Sequence, residues 1–272
     1  MDLDLTLGFV TDLHFGPEAR FEGKLRKMTA RAAELARKVV REMNDVHRPD
    51  YLVNLGDDIE DESHDVDLER YAECQSILRS SAAPLINVAG NHDTIHLKAS
   101  ELNTSWGRDP HAPLHYSLEL AGWHVVVLHT VERIGVDVRV AAAQIRWLQS
   151  DLAASPRPTL VFMHHSASDQ DLTDSRWFSK APHLALVKNR AELRATFEAS
   201  GNVRAVFNGH VHRHNIDVIR GIPYVTFQSL IENLDDDAPG RAAEAHAIVR
   251  LSASKVLVRT LGQAESIREL TF

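Results

Sequence analysis

The sequence has one cysteine, Cys74, among 272 residues, so no internal disulfide can form and nothing in its chemistry requires an oxidising compartment. A cytoplasmic setting is the default expectation. Long apolar runs are missing too: none approaches the roughly 18 residues of a membrane span, and the opening MDLDLTLGFV carries acids where an export signal needs bases. Neither anchoring nor export is expected. Basic residues are in deficit, with 30 Lys+Arg against 38 Asp+Glu for a net charge of −8. Such a surface repels nucleic-acid backbone and leaves small molecules as the expected partners. No linker, repeat or low-complexity stretch divides the chain, which reads as one domain over residues 1–272. No feature of it sets an oligomeric state. At 44% hydrophobic and 25% charged residues, a packed core is expected.

Hydrophobic periodicity alternates between strand and helix. Leu5 to Val10 is a continuous apolar run, as a strand buried on both faces should be. Met28, Ala32, Leu35, Val39 and Met43 recur at steps of three or four, predicting an amphipathic helix over about Glu22 to Asn44 that Pro49 ends. Further strands are expected at 51–55, 85–89, 159–163, 203–207, 224–227, 247–251 and 256–260, and helices at 68–78, 141–152 and 191–200. Residues 116–120 and 123–128 flank Ala121-Gly122 as a hairpin. The order is that of an α/β protein.

The sequence is rich in histidine, with 16, seven of them in or beside five short segments that each follow a predicted strand. These segments are Asp12 and His14; Gly56-Asp57; Gly90-Asn91-His92-Asp93; His164-His165; and Gly209-His210-Val211-His212. Taken singly, each is ordinary turn or capping chemistry. The carboxyl ends of parallel strands converge on one crevice, however, so all five can meet in space. The glycines before Asp57, Asn91 and His210 suit turns that demand close backbone approach. Asp58, Asp61 and Asp93 read as loop or solvent carboxylates, and His214 as a surface residue.

In this order, DLH, GD, GNHD, HH and GHVH resemble the blocks of the calcineurin-like metallophosphoesterase superfamily, from Asp12 to His212. The resemblance implies a four-layer α/β/β/α sandwich with a dinuclear metal site. Asp12, His14 and His212 would bind one ion, Asn91, His164 and His210 the other, and Asp57 would bridge. Nitrogen and oxygen donors of this kind fit Mn, Fe, Zn or Co and leave no place for thiolate. The implied chemistry is in-line attack on phosphorus by metal-bound hydroxide, in a site whose net charge stays at about +1 and so attracts phosphate. His92 would stabilise the transition state or protonate the leaving oxygen. Many relatives carry Asp three residues after the bridging Asp to steady this histidine, and here that position is Glu60. His165, outside the ligand pattern, would support the ligands or touch substrate.

The stretch of about 25 residues after His164 is long for a connection in a compact domain. It offers Trp177 and Phe178 as flat faces and Arg190 as a cation for substrate. The long first helix, Trp147-Leu148, Asn189-Arg190 and Leu230-Ile231-Glu232 resemble the manganese-dependent ADP-ribose/CDP-alcohol diphosphatase branch. His14, where that branch often has Gln, is more similar to cyclic-nucleotide and glycerophosphodiester phosphodiesterases. Small phosphodiester or nucleotide diphosphate substrates are expected. A non-catalytic scaffold of the same fold would have lost ligands, and here none is lost.

Overall fold

The computed structural model describes residues 3–18 and 20–272; the first two residues of the N-terminal segment and Ala19 lie outside the described residues. Twelve strands among the described residues form two sheets. They are β1 (Leu5–Val10), β2 (Tyr51–Asn54), β3 (Leu85–Asn87), β4 (Tyr116–Leu120), β5 (Trp123–Val127) and β6 (Thr159–Phe162), followed by β7 (Val203–Asn208), β8 (Asn215–Ile219), β9 (Ile222–Thr226), β10 (His246–Leu251), β11 (Lys255–Leu261) and β12 (Ser266–Thr271). One sheet runs β12-β11-β10-β1-β2-β3 and the other β8-β9-β7-β6-β5-β4. Parallel pairing joins β1 to β2 and β2 to β3, and likewise β5, β6, β7 and β9 in the second sheet. The strands that precede the five segments are therefore parallel neighbours within each sheet.

The sheets pack face to face over Leu7, Phe9, Val53, Trp123, Phe162, Phe207 and Phe227. Helices α1 (Ala32–Glu42) and α2 (His64–Leu78) cover the first sheet, and α3 (Ala142–Ala154) and α4 (Arg190–Ser200) cover the second, through separate apolar clusters. This is the expected four-layer α/β/β/α sandwich. Phe9 sits within 5.7 Å of Phe162, 5.0 Å of Phe207 and 4.9 Å of Phe227. It lies three residues before Asp12, while Phe162 and Phe207 precede His164 and His210 by two and three. An apolar plug thus underlies the ends of the site-bearing strands. Truncating one of these rings to alanine costs about 3–5 kcal/mol.

Helix α1 departs from expectation at its start. Residues Arg20–Phe21 and Lys24–Leu25 form a small hairpin, because Glu22 (φ 50°) and Gly23 (φ 78°) both adopt the left-handed conformation that a tight hairpin turn demands. The helix itself begins at Ala32 and buries Leu35, Ala36, Val39 and Val40. It ends in a π turn over Met43–His47, with Arg48 left-handed before Pro49. Strands β8 and β12 were not expected. Four of the six residues of β12 are exposed on an edge, so burial imposes no alternation there. Among the described residues no helix is long and apolar enough to cross a membrane.

Candidate active site

All five segments converge where the two sheets meet. Asp12, His14, Asp57, His210 and His212 each have positive φ, between 44° and 67°. Non-glycine residues held this way cost on the order of 1–3 kcal/mol each and collect at functional sites. Interlocking backbone enforces the shape: Asp12 N–H donates to the Gly56 carbonyl (2.9 Å) and His14 N–H to the Asp57 carbonyl (3.0 Å). A Cβ on Gly90 would stand 2.1 Å from Asp57 Oδ1, and one on Gly209 would stand 1.9 Å from Thr11 Oγ1. The motif glycines let one loop press on another rather than on a ligand.

The imidazoles are oriented by their outer nitrogens. His164 Nδ1 donates to the Leu55 carbonyl at 2.8 Å, His210 Nε2 to the Leu184 carbonyl at 3.1 Å, and His212 Nδ1 to Glu232 at 2.8 Å. His14 Nδ1 lies 3.1 Å from Glu60. A carbonyl or carboxylate only accepts, so the outer nitrogens of His164, His210 and His212 each carry a proton, and their inner nitrogens are the ones left to meet a cation. The inner nitrogens face one another: His14 Nε2 and His212 Nε2 are 3.2 Å apart, as are His164 Nε2 and His210 Nδ1. Asp57 Oδ2 lies between the pairs, 3.2 Å from His164 and 3.8 Å from His14, while Asp12 Oδ1 stands 3.3 Å from His212. The amide oxygen of Asn91 is buried without a hydrogen-bond partner.

Charge follows this geometry. Burial, aided by Lys27, pushes His14 down to about 4, and burial beside His164 pushes His210 to about 3. Against the same burial, Asp57 raises His164 to about 10 and Asp12 raises His212 to about 9. Without an ion, one ring of each facing pair is thus neutral and the other holds a second proton on its inner nitrogen, beside Asp12 and Asp57, whose own pKa values are depressed. A cation would take that proton's place, and two pockets of converging imidazole nitrogens and buried carboxylate oxygens are a fitting donor set for two cations of the imidazole- and carboxylate-binding class.

Three sequence readings need correction. Asp58 and Asp93 are fully buried rather than loop carboxylates in solvent. Asp93 accepts N–H groups of Asp57 (3.0 Å), Asp58 (2.8 Å) and Gly90 (2.8 Å), tying two segments together. Burial raises Asp58 to about 6, against hydrogen bonds from Asn54 and Gln75. His214 is half-buried, not a surface residue, and burial lowers it to about 4. Asp61, read as a loop carboxylate, accepts the Nδ1 proton of His92. The position-60 carboxylate that stood as a candidate for that task instead meets His14 and Lys27.

The donor cluster opens into a cavity of about 410 Å³. His14, Asp57, Asn91, His92, His210 and His212 form its floor, and Phe21, Trp177 and Phe178 its aromatic side. Phe21 and Trp177 are 4.9 Å apart, and Phe178 lies 4.8 Å from His210. The cations at the rim are engaged: Lys27 with Glu60, Arg26 with Asp236 at 2.9 Å, and Arg20 with Asp237 at 3.2 Å. Arg190 does not reach the cavity, because Asp169 holds it at 2.5 Å. His165 is fully buried, bonded to Thr130 at 2.7 Å and packed on the His210 ring at 3.9 Å, so it backs His210 and does not line the cavity.

Glu232 escaped sequence reasoning as a member of the site. Buried, it accepts from both His212 Nδ1 and Trp177 Nε1, the latter at 3.1 Å. Its sequence signal was its place in Leu230-Ile231-Glu232 after a strand, which carried a resemblance but pointed to no role in the site. Leu184, whose carbonyl fixes His210, left no signal at all.

Comparison with known proteins gives concordant results. The model of the calcineurin-like phosphoesterase family matches residues 5–214. A protein of Synechococcus sp. described as a probable cyclic nucleotide phosphodiesterase is 28% identical over 215 residues, 78% of this chain and 74% of that protein. A similarly described protein of Psychrobacter arcticus is 25% identical over 64% of this chain and 61% of its own length. Among solved structures, a dimetal phosphatase from Danio rerio superposes with a TM-score of 0.77 at 16% identity, covering 98% of this chain and 99% of that one. That last likeness is one of fold.

Proposed function

The chain belongs to the calcineurin-like phosphoesterase family and is a metal-dependent phosphoester hydrolase, and from that premise we propose that it cleaves small phosphodiesters of the cyclic-nucleotide type. The observation that carries this reading is the facing of inner imidazole nitrogens in two couples around Asp57 at the floor of an aromatic-sided cavity. Asp12, His14 and His212 would hold one ion, Asn91, His164 and His210 the other, with Asp57 shared. When bound, such a pair of cations polarises the phosphoryl oxygens and brings the pKa of a water near neutrality, so that it can act as nucleophile.

The chain's own groups do the rest. His92 is half-buried, its Nδ1 fixed on Asp61, so Nε2 is the atom turned to a leaving oxygen. Burial opposes the charged ring, but Asp57 and Asp61 together hold the His92 pKa above its ordinary value. It therefore keeps the proton a general acid must deliver. Phe21 and Trp177 offer flat faces to a nucleobase. Among the described residues, the Lys and Arg side chains that line the cavity, Arg20, Arg26 and Lys27, are already paired with carboxylates and so are not spare for a second phosphate. That favours a singly charged diester over a nucleotide diphosphate, in keeping with the names of the relatives.

The test is a substrate panel on protein reconstituted separately with Mn, Fe and Zn: 3′,5′- and 2′,3′-cyclic nucleotides, ADP-ribose, a glycerophosphodiester and bis(p-nitrophenyl) phosphate. The highest kcat/KM is expected for a cyclic nucleotide. A clear preference for ADP-ribose would overturn the substrate assignment. Asp57→Asn is expected to lose both metal content and turnover, and full metal content with near-normal turnover would overturn the ligand assignment.

A further inference from the structure

A second cluster of donors lies outside the cavity, at the end of α1. Glu42 closes that helix, His47 ends the π turn after it, and His246 opens β10. One donor atom from each lies within 4.8 Å of the others. His246 is 6% exposed, and its Nδ1 donates to the Glu244 carbonyl at 3.0 Å. The carbonyl fixes the tautomer: Nδ1 bears the hydrogen, and Nε2 of the neutral ring is a lone pair. That Nε2 is shut off from solvent and makes no hydrogen bond, although Glu42 Oε2 lies 3.2 Å away. A lone pair held against a carboxylate is repulsive unless positive charge stands between them.

Only a proton or a metal ion is small enough for that gap. The geometry disfavours the proton, since Nε2 makes no hydrogen bond to the carboxylate 3.2 Å away. A backbone carbonyl accepting the outer N–H is also the usual support of a ligating histidine.

We propose that Glu42, His47 and His246 form a third metal site, for a divalent ion of the zinc class, independent of the centre around Asp57. Two imidazoles and one carboxylate are three of the four ligands a tetrahedral zinc takes, and water completes the set. A cavity of about 240 Å³ borders Glu42 and His246 and gives that water room. Glu42 and His47 are both half-buried, so their side chains have the freedom to close on the ion. Bound there, the ion clips the end of α1 to the start of β10. The adjoining residues reach the segment carrying Glu232, since Ala243 N–H donates to the Glu232 carbonyl at 2.8 Å and Glu244 N–H to the Leu230 carbonyl at 2.9 Å.

The test uses holoenzyme already loaded with manganese and then given zinc. Crystals are measured on both sides of the zinc absorption edge, and binding is followed by calorimetry. An anomalous peak among Glu42, His47 and His246 is expected, with one further equivalent of zinc bound per chain. His47→Ala should abolish the peak and weaken that binding event by more than about tenfold, since even the loss of an outer partner has such an effect, while turnover stays unchanged. His246→Gln should do the same, and His47→Ala serves alone if the buried substitution does not fold. No peak in the wild type at saturating zinc, or an extra equivalent that survives His47→Ala, overturns the proposal.

Discussion

Asp61 accepts the Nδ1 proton of His92, one position beyond the residue where the family pattern sought that partner. The carboxylate therefore sets both the tautomer and the direction of the ring, as an orienting carboxylate does in other histidine-dependent hydrolases. Asp61→Asn is expected to lower kcat by about 10–100-fold, and His92→Ala by about 10²–10⁴-fold, the range of a lost general acid. Both should keep their metal content. The loss should be steepest for substrates with basic leaving oxygens, read from a series of aryl and alkyl esters. A change confined to KM would remove His92 from the chemistry.

Glu232 serves two masters, the metal-facing His212 and the rim residue Trp177. In Glu232→Gln the amide keeps the shape but not the charge. Metal affinity is expected to fall by about 10–100-fold, as for other partners of ligating histidines. Tryptophan emission should shift in the same variant. Metal titration and fluorescence on one sample would separate this from a purely local effect at either residue.

Trp177→Ala should narrow the preference for a nucleotide diester over bis(p-nitrophenyl) phosphate, because the aryl diester lacks the distal group that the ring would hold. A several-fold fall in the ratio of kcat/KM values is expected. Arg190→Ala, held on Asp169 away from the cavity, should leave that ratio unchanged. The reverse pattern in steady-state kinetics would show that the loop rearranges around substrate.

Gly90→Ala forces a methyl group onto Asp57, with Oδ1 at 2.1 Å and N at 2.2 Å in the present arrangement. Overpacking of this kind costs about 1–3 kcal/mol. Thermal denaturation should show a lowered midpoint, and metal analysis should show reduced content. A fully stable, fully loaded variant would mean that the two loops separate freely.

Much of this was legible in the chain because the site grows from strand ends. Continuous apolar runs such as Leu5–Val10 and Thr159–Phe162 announced their strands, and the proposed ligands follow such runs directly. What could not be read were relationships made by tertiary contact. Glu232 meets His212 and Trp177 across 20 and 55 residues of chain, and no spacing rule links them. Asp58 and Asp93 resembled turn residues because turns favour Asp, yet they are buried beneath the backbone of neighbouring loops. Glu22 to Leu25 fall inside the expected helix because the apolar spacing from Met28 onward does not mark where the helix starts, yet they belong to the Arg20–Leu25 hairpin. Its turn needs positive φ at Glu22, a conformation that glutamate does not advertise.

The facing imidazole couples have a consequence for how the protein comes apart. His14 belongs to the first sheet and its neighbour His212 follows the second, and Asp57 of the first meets His164 of the second. On the proposed ligand assignment, neither half would retain a complete coordination sphere by itself. Ions held there would bind the assembled sandwich and not its separated sheets, and so would act as a thermodynamic lock across the Phe9 interface.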